Sequence, residues 1–189
     1  MIVLFFFGFF LLLFILALLW ILIPALYGLP SIPTKPDRIR KALNLAKLQP
    51  NETLYDLGAG DGRVLLIAAG EFGAKAIGIE VGPIQCGFIW LRALASGLSE
   101  KIQVQWGNYL NADLNDADVV FIYATSQEVV KITPHLEKQL KEGAQVVSIS
   151  ADFHEWEPSN FDEHELIFVY DMPPKRGSLG SYLMTKAND

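Results

Sequence analysis

The sequence predicts an α/β domain built on an open, mostly parallel sheet, and three observations carry that expectation. Short runs that are almost continuously apolar alternate with helical stretches, the pattern of a parallel sheet covered on both faces. One strand-to-helix connection, "LYDLGAGDGRVLLI" at 54–67, is crowded with glycine. Near the C-terminus the alternation stops, and the chain reads as an antiparallel hairpin closing the sheet.

Taken in order, "DRIRKALNLAKL" (37–48) places Ile39, Leu43 and Ala46, with Leu45, on one stripe of an amphipathic helix. "QPNE" is a turn. "TLYDLG" is a first strand, "GRVLLIAAGEF" a helix ending before Gly73, "AKAIGIE" a second strand and "GPIQCGFIWLRALAS" a second helix. "KIQVQW" and "DVVFIY" are the third and fourth strands. The helical "SQEVVKITPHLEKQLKE" follows, with a kink expected at Pro134, and "AQVVSIS" is the fifth strand. "HELIFVYDM", a turn at "PPKRGSLG", and "SYLMTK" make the expected hairpin.

Composition adds limits. The chain has 189 residues, enough for one domain with a real core. A net charge of −6 argues against nucleic acid as a partner. Cys86 is the one cysteine, so an intrachain disulfide is excluded, and His135, His154 and His164 show no metal-ligand spacing. No Lys, Arg, Asp or Glu precedes Lys35. Residues 1–23 are apolar throughout, and 23 helical residues would reach roughly 34 Å, enough to span a hydrocarbon core of about 30 Å. Trp20 and Tyr27 lie where an interfacial aromatic belt would place them, and Pro24 with the "YGLPSIPTKP" that follows should break the helix. A cleaved signal peptide fits less well, for want of a basic leading region and an A-x-A site. The expected organisation is thus a transmembrane anchor over 1–24, a linker over 25–36 and a domain over 37–189. Lys35, Arg38, Arg40 and Lys41 follow the span, so the positive-inside rule makes this a single-pass membrane protein with a cytoplasmic domain.

The glycine loop narrows the chemistry. Gly58, Gly60 and Gly62 give G-x-G-x-G; a dinucleotide fingerprint needs a further glycine where Arg63 stands, and a P-loop pattern is absent. Asp56, two residues before the first glycine, would repel a pyrophosphate but would pair with an ammonium group. S-adenosyl-L-methionine carries an ammonium, a carboxylate and a sulfonium, and no phosphate. The glycines would let the backbone approach its methionine part, and the following helix N-terminus would favour its carboxylate. Glu80 ends the second strand, where a carboxylate can accept both ribose hydroxyls. A glycine-rich turn can exist without a ligand, and a strand-end acid can simply be solvated; it is the combination that points to a nucleoside ligand.

"DLGAGDG" and "GIE" resemble the first and the acidic motif of class I, Rossmann-like, S-adenosylmethionine-dependent methyltransferases. More narrowly, the N-terminal span, "IPTKPDRIRKAL", "LYDLGAGDGRVLLIAA", "DLNDADVVFIY" and "FHEWEP" resemble the membrane-associated protein lysine methyltransferases, those acting on the ATP synthase c subunit and the adenine nucleotide translocase, with their prokaryotic relatives. The resemblance implies a seven-stranded sheet in the order 3-2-1-4-5-7-6 with strand 7 antiparallel. It implies cofactor contacts at Thr34 (with Pro33), Asp56, Gly58, Ala59, Gly60, Gly62 and Glu80, and no metal. Asn108 stands where many relatives carry an Asp against the adenine amine, and its amide oxygen can still accept.

Ligands in open sheets bind at the C-terminal strand ends, so the acceptor should lie near "FIYATS", with Tyr123 as the catalytic candidate that orients it. Trp156 is a possible wall for an aliphatic ammonium. Trp106 and Tyr109 could pack near the adenine base, though core packing is the expected role, and Asp152, His154 and Glu155 are expected to form a solvated turn. A lysine acceptor must lose its proton from a pKa of about 10.4, which desolvation and a nearby sulfonium both favour, so no dedicated base is needed. A lipid or quinone acceptor remains open, because an anchor serves either, and so does a cofactor-binding scaffold without transferase activity.

Overall fold

The strand–helix alternation is realised in a computed structural model, which describes the backbone of residues 2–26 and 34–187. Seven strands, β1 (Thr53–Leu57), β2 (Lys75–Glu80), β3 (Ile102–Trp106), β4 (Val119–Tyr123), β5 (Gln145–Ile149), β6 (Asn160–Asp162) and β7 (Ile167–Asp171), form one sheet in the order β3-β2-β1-β4-β5-β7-β6. Every pairing from β3 across to β5 is parallel, and β7 runs antiparallel to both β5 and β6. This is the expected class I methyltransferase topology.

Helices α1 (Ile2–Leu26), α2 (Pro36–Leu45), α3 (Arg63–Glu71), α4 (Pro83–Ala95), α5 (Ser126–Gln139) and α6 (Leu179–Lys186) complete the described elements, with a 3-10 turn at Tyr109–Asn111. Pro36 opens α2, where its missing N–H costs nothing, and Ile39, Ala42 and Leu43 bury the expected stripe. One core lies between the sheet and α2, α3 and α4, including Leu43, Leu65, Ile89, Phe121 and Val147. The other lies on the opposite face under α5, including Leu57, Ile132, Leu136, Val146 and Tyr170. Alternate residues of one strand serve the two cores, Phe121 one and Ile122 the other.

One expectation is corrected. "SYLMTK" is not a strand: it lies in α6, started by a capping box in which Ser178 and Ser181 satisfy each other's backbone N–H groups. The closing hairpin lies upstream, as β6 and β7. Pro134 lies inside α5, as the helical reading of this stretch expected, and the helix continues to Gln139. Helix α1 is described to Leu26, two residues past Pro24, and most of the "YGLPSIPTKP" stretch expected to break it with Pro24 lies outside the described residues.

The anchor needs a different correction. Among the described residues no helix is long and apolar enough to cross a membrane. What is described is an uncharged helix whose side chains from Leu4 to Leu19 are all exposed. Most of the expected linker, residues 27–33 with Pro33, lies outside the described residues.

Candidate functional site

The connection from β1 to α3 is the centre of the site. Gly58, Gly60 and Gly62 all have φ in the left-handed region, +92°, +56° and +75°, which is why this turn is built from glycine. Gly58 and Ala59 donate to the Ile79 carbonyl at 2.9 and 3.1 Å, so the loop is hung on the end of β2. Glu80 completes the link: one carboxylate oxygen accepts from Gly60 N and the other from Gly82 N, both at 2.8 Å. Gly62 is needed twice over, since a Cβ there would also approach Ile89 of α4 to 2.9 Å. The close helix–sheet packing that a dinucleotide fold obtains from its third glycine comes here from Gly78 in β2. A Cβ at that position would meet both Ala59 and Leu65 at 2.7 Å.

These elements enclose a cavity of about 590 Å³ at the C-terminal ends of β1, β2 and β4, within the range of small-molecule sites. Thr34, Asp56, Gly58, Ala59, Gly60, Glu80 and Tyr123 all line it. Gly62 and Asn108 do not: Gly62 faces α4, and Asn108 uses its side-chain oxygen to accept from Leu110 N at 2.9 Å, capping the 3-10 turn. The neighbours of Asn108, Gly107 and Tyr109, take the lining positions. Tyr109 is buried as expected. Trp106 is not, at 73% exposed, with its indole N–H donating to the Val81 carbonyl.

Trp156 is no wall of this cavity. It is 1% exposed, stacked on Phe153 at 4.3 Å, set edge-on to Tyr170, and donates its N–H to Glu137. An indole this apolar gains most by filling the core once its one donor is satisfied. His154 and Asp152 form the expected surface turn, 3.5 Å apart.

Several side chains of the site escape a reading of the sequence. Asp61 is held by Arg63 through a two-pronged contact, at 2.9 and 2.7 Å, and by Arg92 at 3.3 Å. Arg63 also donates to the Thr34 carbonyl at 2.8 Å, tying the segment before α2 to the loop. The adjacency of Asp61 and Arg63 in "GDGR" is a visible signal; the reach of Arg92 from α4 is not. Arg38 of α2 donates to Ser150 Oγ at 2.9 Å and to the Glu165 carbonyl, and its guanidinium lies 5.8 Å from the Tyr123 ring centre. A fixed cation therefore sits beside the Tyr123 end of the cavity.

The charge pattern tests whether S-adenosylmethionine fits. Half-burial pushes the Asp61 carboxyl up, but hydrogen bonds from Arg63 outweigh it and hold the group below the usual carboxylate range. Asp56 has no such relief. Burial, then the neighbouring Glu80 and Asp61 carboxylates, push it up to about 8. Burial also raises Glu80, against the backbone N–H groups that stabilise its charge. A cavity with a buried, unneutralised carboxylate favours a ligand that brings a cation to it. At the α3 N-terminus Arg63 N already donates to Asp61 at 3.2 Å, which leaves the next first-turn N–H groups for a ligand carboxylate. Glu80 sits where hydroxyls can reach its remaining lone pairs. The residues present fit the cofactor.

Known proteins agree. Residues 56–160 match the family described as the ANTKMT methyltransferase domain. A protein-lysine N-methyltransferase of Saccharolobus islandicus is 32% identical over 143 residues, 75% of this chain and 86% of that protein. The mouse lysine N-methyltransferase of the ATP synthase c subunit is 26% identical over 154 residues, 80% of this chain but only 62% of its own length. Among solved structures, an RNA methyltransferase of Salinibacter ruber, in complex with S-adenosyl-L-homocysteine, superposes with a TM-score of 0.74 at 30% identity, covering 77% of this chain and 97% of that one. With a loop, a cavity and a charge pattern suited to S-adenosylmethionine, the chain is an S-adenosylmethionine-dependent methyltransferase and belongs to the ANTKMT methyltransferase domain family.

Proposed function

We propose that the methyl acceptor is a protein lysine, and that α1 tethers the enzyme to a membrane on which that protein lies. The observation that carries the lysine reading is the likeness to the Saccharolobus islandicus enzyme, a protein-lysine N-methyltransferase of which this chain covers 86%. The tether rests on an uncharged helix of 25 residues with its described apolar side chains outermost.

S-adenosylmethionine, when bound, supplies an electrophilic methyl on a sulfonium. Asp56 would pair with its ammonium, Glu80 would accept from its ribose hydroxyls, and the α3 N-terminus would take its carboxylate. The three line one wall and fix the cofactor's orientation, which is most of what an in-line methyl transfer asks of a protein. Tyr123, at the end of β4, directs the acceptor amine. Arg38 beside Tyr123 disfavours an ammonium there, so the amine arrives neutral and its lone pair is free to attack. The lysine ammonium loses its proton to water before attack, the methylammonium product can lose one afterwards, and no side chain need act as base. The net charge of −6 weighs against an RNA acceptor.

The test is transfer of radiolabel from S-adenosylmethionine to membranes from cells lacking this gene, using the wild-type chain and Asp56→Asn. Label recovered as methyllysine in a membrane protein supports the proposal. Label in the organic-soluble fraction would replace it with a lipid or quinone acceptor.

A further inference from the structure

Helix α4 has an outer face that water does not explain. Ile89 and Ala93 turn inward, and Arg92 is engaged with Asp61. What remains outermost is Phe88, Trp90, Leu91 and Leu94, at 42%, 58%, 55% and 54% exposed, with no charge among them. Trp106, the last residue of β3, lies on the same side of the sheet's edge as the β2–α4 connection, its indole bonded to Val81.

This face is continuous with α1. Pro24 has no N–H, so the carbonyl one turn earlier, Trp20 O, lacks its helical donor. Gln85 of α4 supplies one, Nε2 to Trp20 O at 2.8 Å. That bond orients the amide, because turning it over would set two oxygens together. The Trp20 ring then meets Phe88 edge to face at 5.5 Å. The contact is made at the C-terminal end of α1, leaving its side chains from Leu4 to Leu19 exposed. Trp20 also lines the cofactor cavity, so the joint between the two helices is part of the cavity wall.

Resting on the membrane tether proposed above, we infer that the outer face of α4 is a second lipid contact, lying in the membrane interface beside α1. Phe88, Leu91 and Leu94 enter the acyl boundary, and Trp90 takes the headgroup level where amphipathic rings settle. A helix joined to the tethering helix through Trp20 lies near the lipid surface, and an outer face without charge suits that position. The consequence is that the cavity opens at the membrane surface, within reach of an acceptor only a few residues above it.

The experiment uses the full chain in phosphatidylcholine vesicles, with and without brominated acyl chains that quench tryptophan. Trp20, Trp90 and Trp106 are replaced by Phe two at a time, leaving buried Trp156 as an unquenched control. Binding of S-adenosylhomocysteine, followed by calorimetry, verifies the fold of each variant. We expect Trp20 and Trp90 both to lose emission, and Leu91→Glu with Leu94→Glu to abolish the loss at Trp90 while leaving that at Trp20. Quenching of Trp20 without Trp90 overturns the α4 contact and leaves the tether standing, the face then serving another partner such as a second copy. Quenching of neither overturns the tether and this inference with it. Quenching of Trp90 that survives the double substitution also overturns it, since the face would not be what meets lipid.

Discussion

Helices α4 and α5 flank the same sheet, one on each face, and they solve the problem of a second side in opposite ways. Helix α5 buries Val129, Ile132 and Leu136 and turns Lys131, Glu137 and Lys138 outward, as a solvated helix should. Helix α4 buries little more than Ile89 and Ala93, small for its length, and turns aromatic and leucine side chains outward. Burial on the sheet accounts for most of the apolar content of α5 and for less than half of that of α4. An apolar residue on a helix is therefore no proof of a core position; what matters is whether the excess has somewhere to go.

The same truncation on the two helices should break or confirm this contrast. Leu136→Ala in α5 removes a fully buried side chain and should cost about 2–5 kcal/mol, read as a lower denaturant midpoint with unchanged slope. A loss under about 1 kcal/mol would mean the α5 face is loosely packed and the contrast false.

A second effect concerns the side that carries the ligand. Asp56→Asn should weaken S-adenosylmethionine binding about 100-fold, the loss of a buried charge-assisted pair, measured by calorimetry. The pH dependence follows from the raised Asp56 carboxyl. The free folded protein holds this proton from its ordinary value of 3.8 up to about 8, so that stabilisation is complete below pH 3.8 and is lost as pH rises toward 8. The melting temperature of the free wild type should therefore fall across that window, and the fall should be smaller in Asp56→Asn. Cofactor affinity should move the other way, rising with pH up to about 8 as the carboxylate becomes available. A flat affinity profile from about pH 6 to about 8 would show that Asp56 is already ionised.

The smallest effect is the most pointed. Leu94→Ala on the outer face of α4 should change the stability of the detergent-solubilised protein by no more than about 0.5 kcal/mol. A cost of about 2 kcal/mol or more would mean that something already packs there in solution, a second copy first among the options.

Much of the fold is legible because β1, β2, β4 and β5 are short, continuously apolar and separated by helices with clear ends, so each local preference agrees with the sheet. The hairpin is misplaced by a sequence reading because "SYLMTK" contains enough β-preferring residues to pass for a strand, while Ser178, the first half of the capping signal, stands outside that segment. In the site, Asp56, Glu80 and the glycines are readable, since each is fixed by its place at a strand end or turn. Asn108 is assigned by analogy with a position, and the local cap on Leu110 takes its oxygen. Trp156 looks like a ligand wall because a tryptophan in a polar stretch invites that reading; its burial depends on Phe153 and Tyr170, which only folding stacks around it.

By itself, then, the sequence determined the strand–loop–helix that holds the cofactor, the acid at each of two strand ends, and an uncharged N-terminal helix. These are local matters: backbone freedom, periodicity and the position of a charge along the chain. Tertiary structure alone decided that Arg63 and Arg92 neutralise Asp61 while Asp56 stays bare, that Arg38 crosses from α2 to Tyr123, and that Gln85 completes the hydrogen bond Pro24 leaves open. Gln85 and Trp20 are 65 positions apart, and no local rule ranks one distant partner above another; the sheet does so, by fixing which strand ends and helix faces share the cavity.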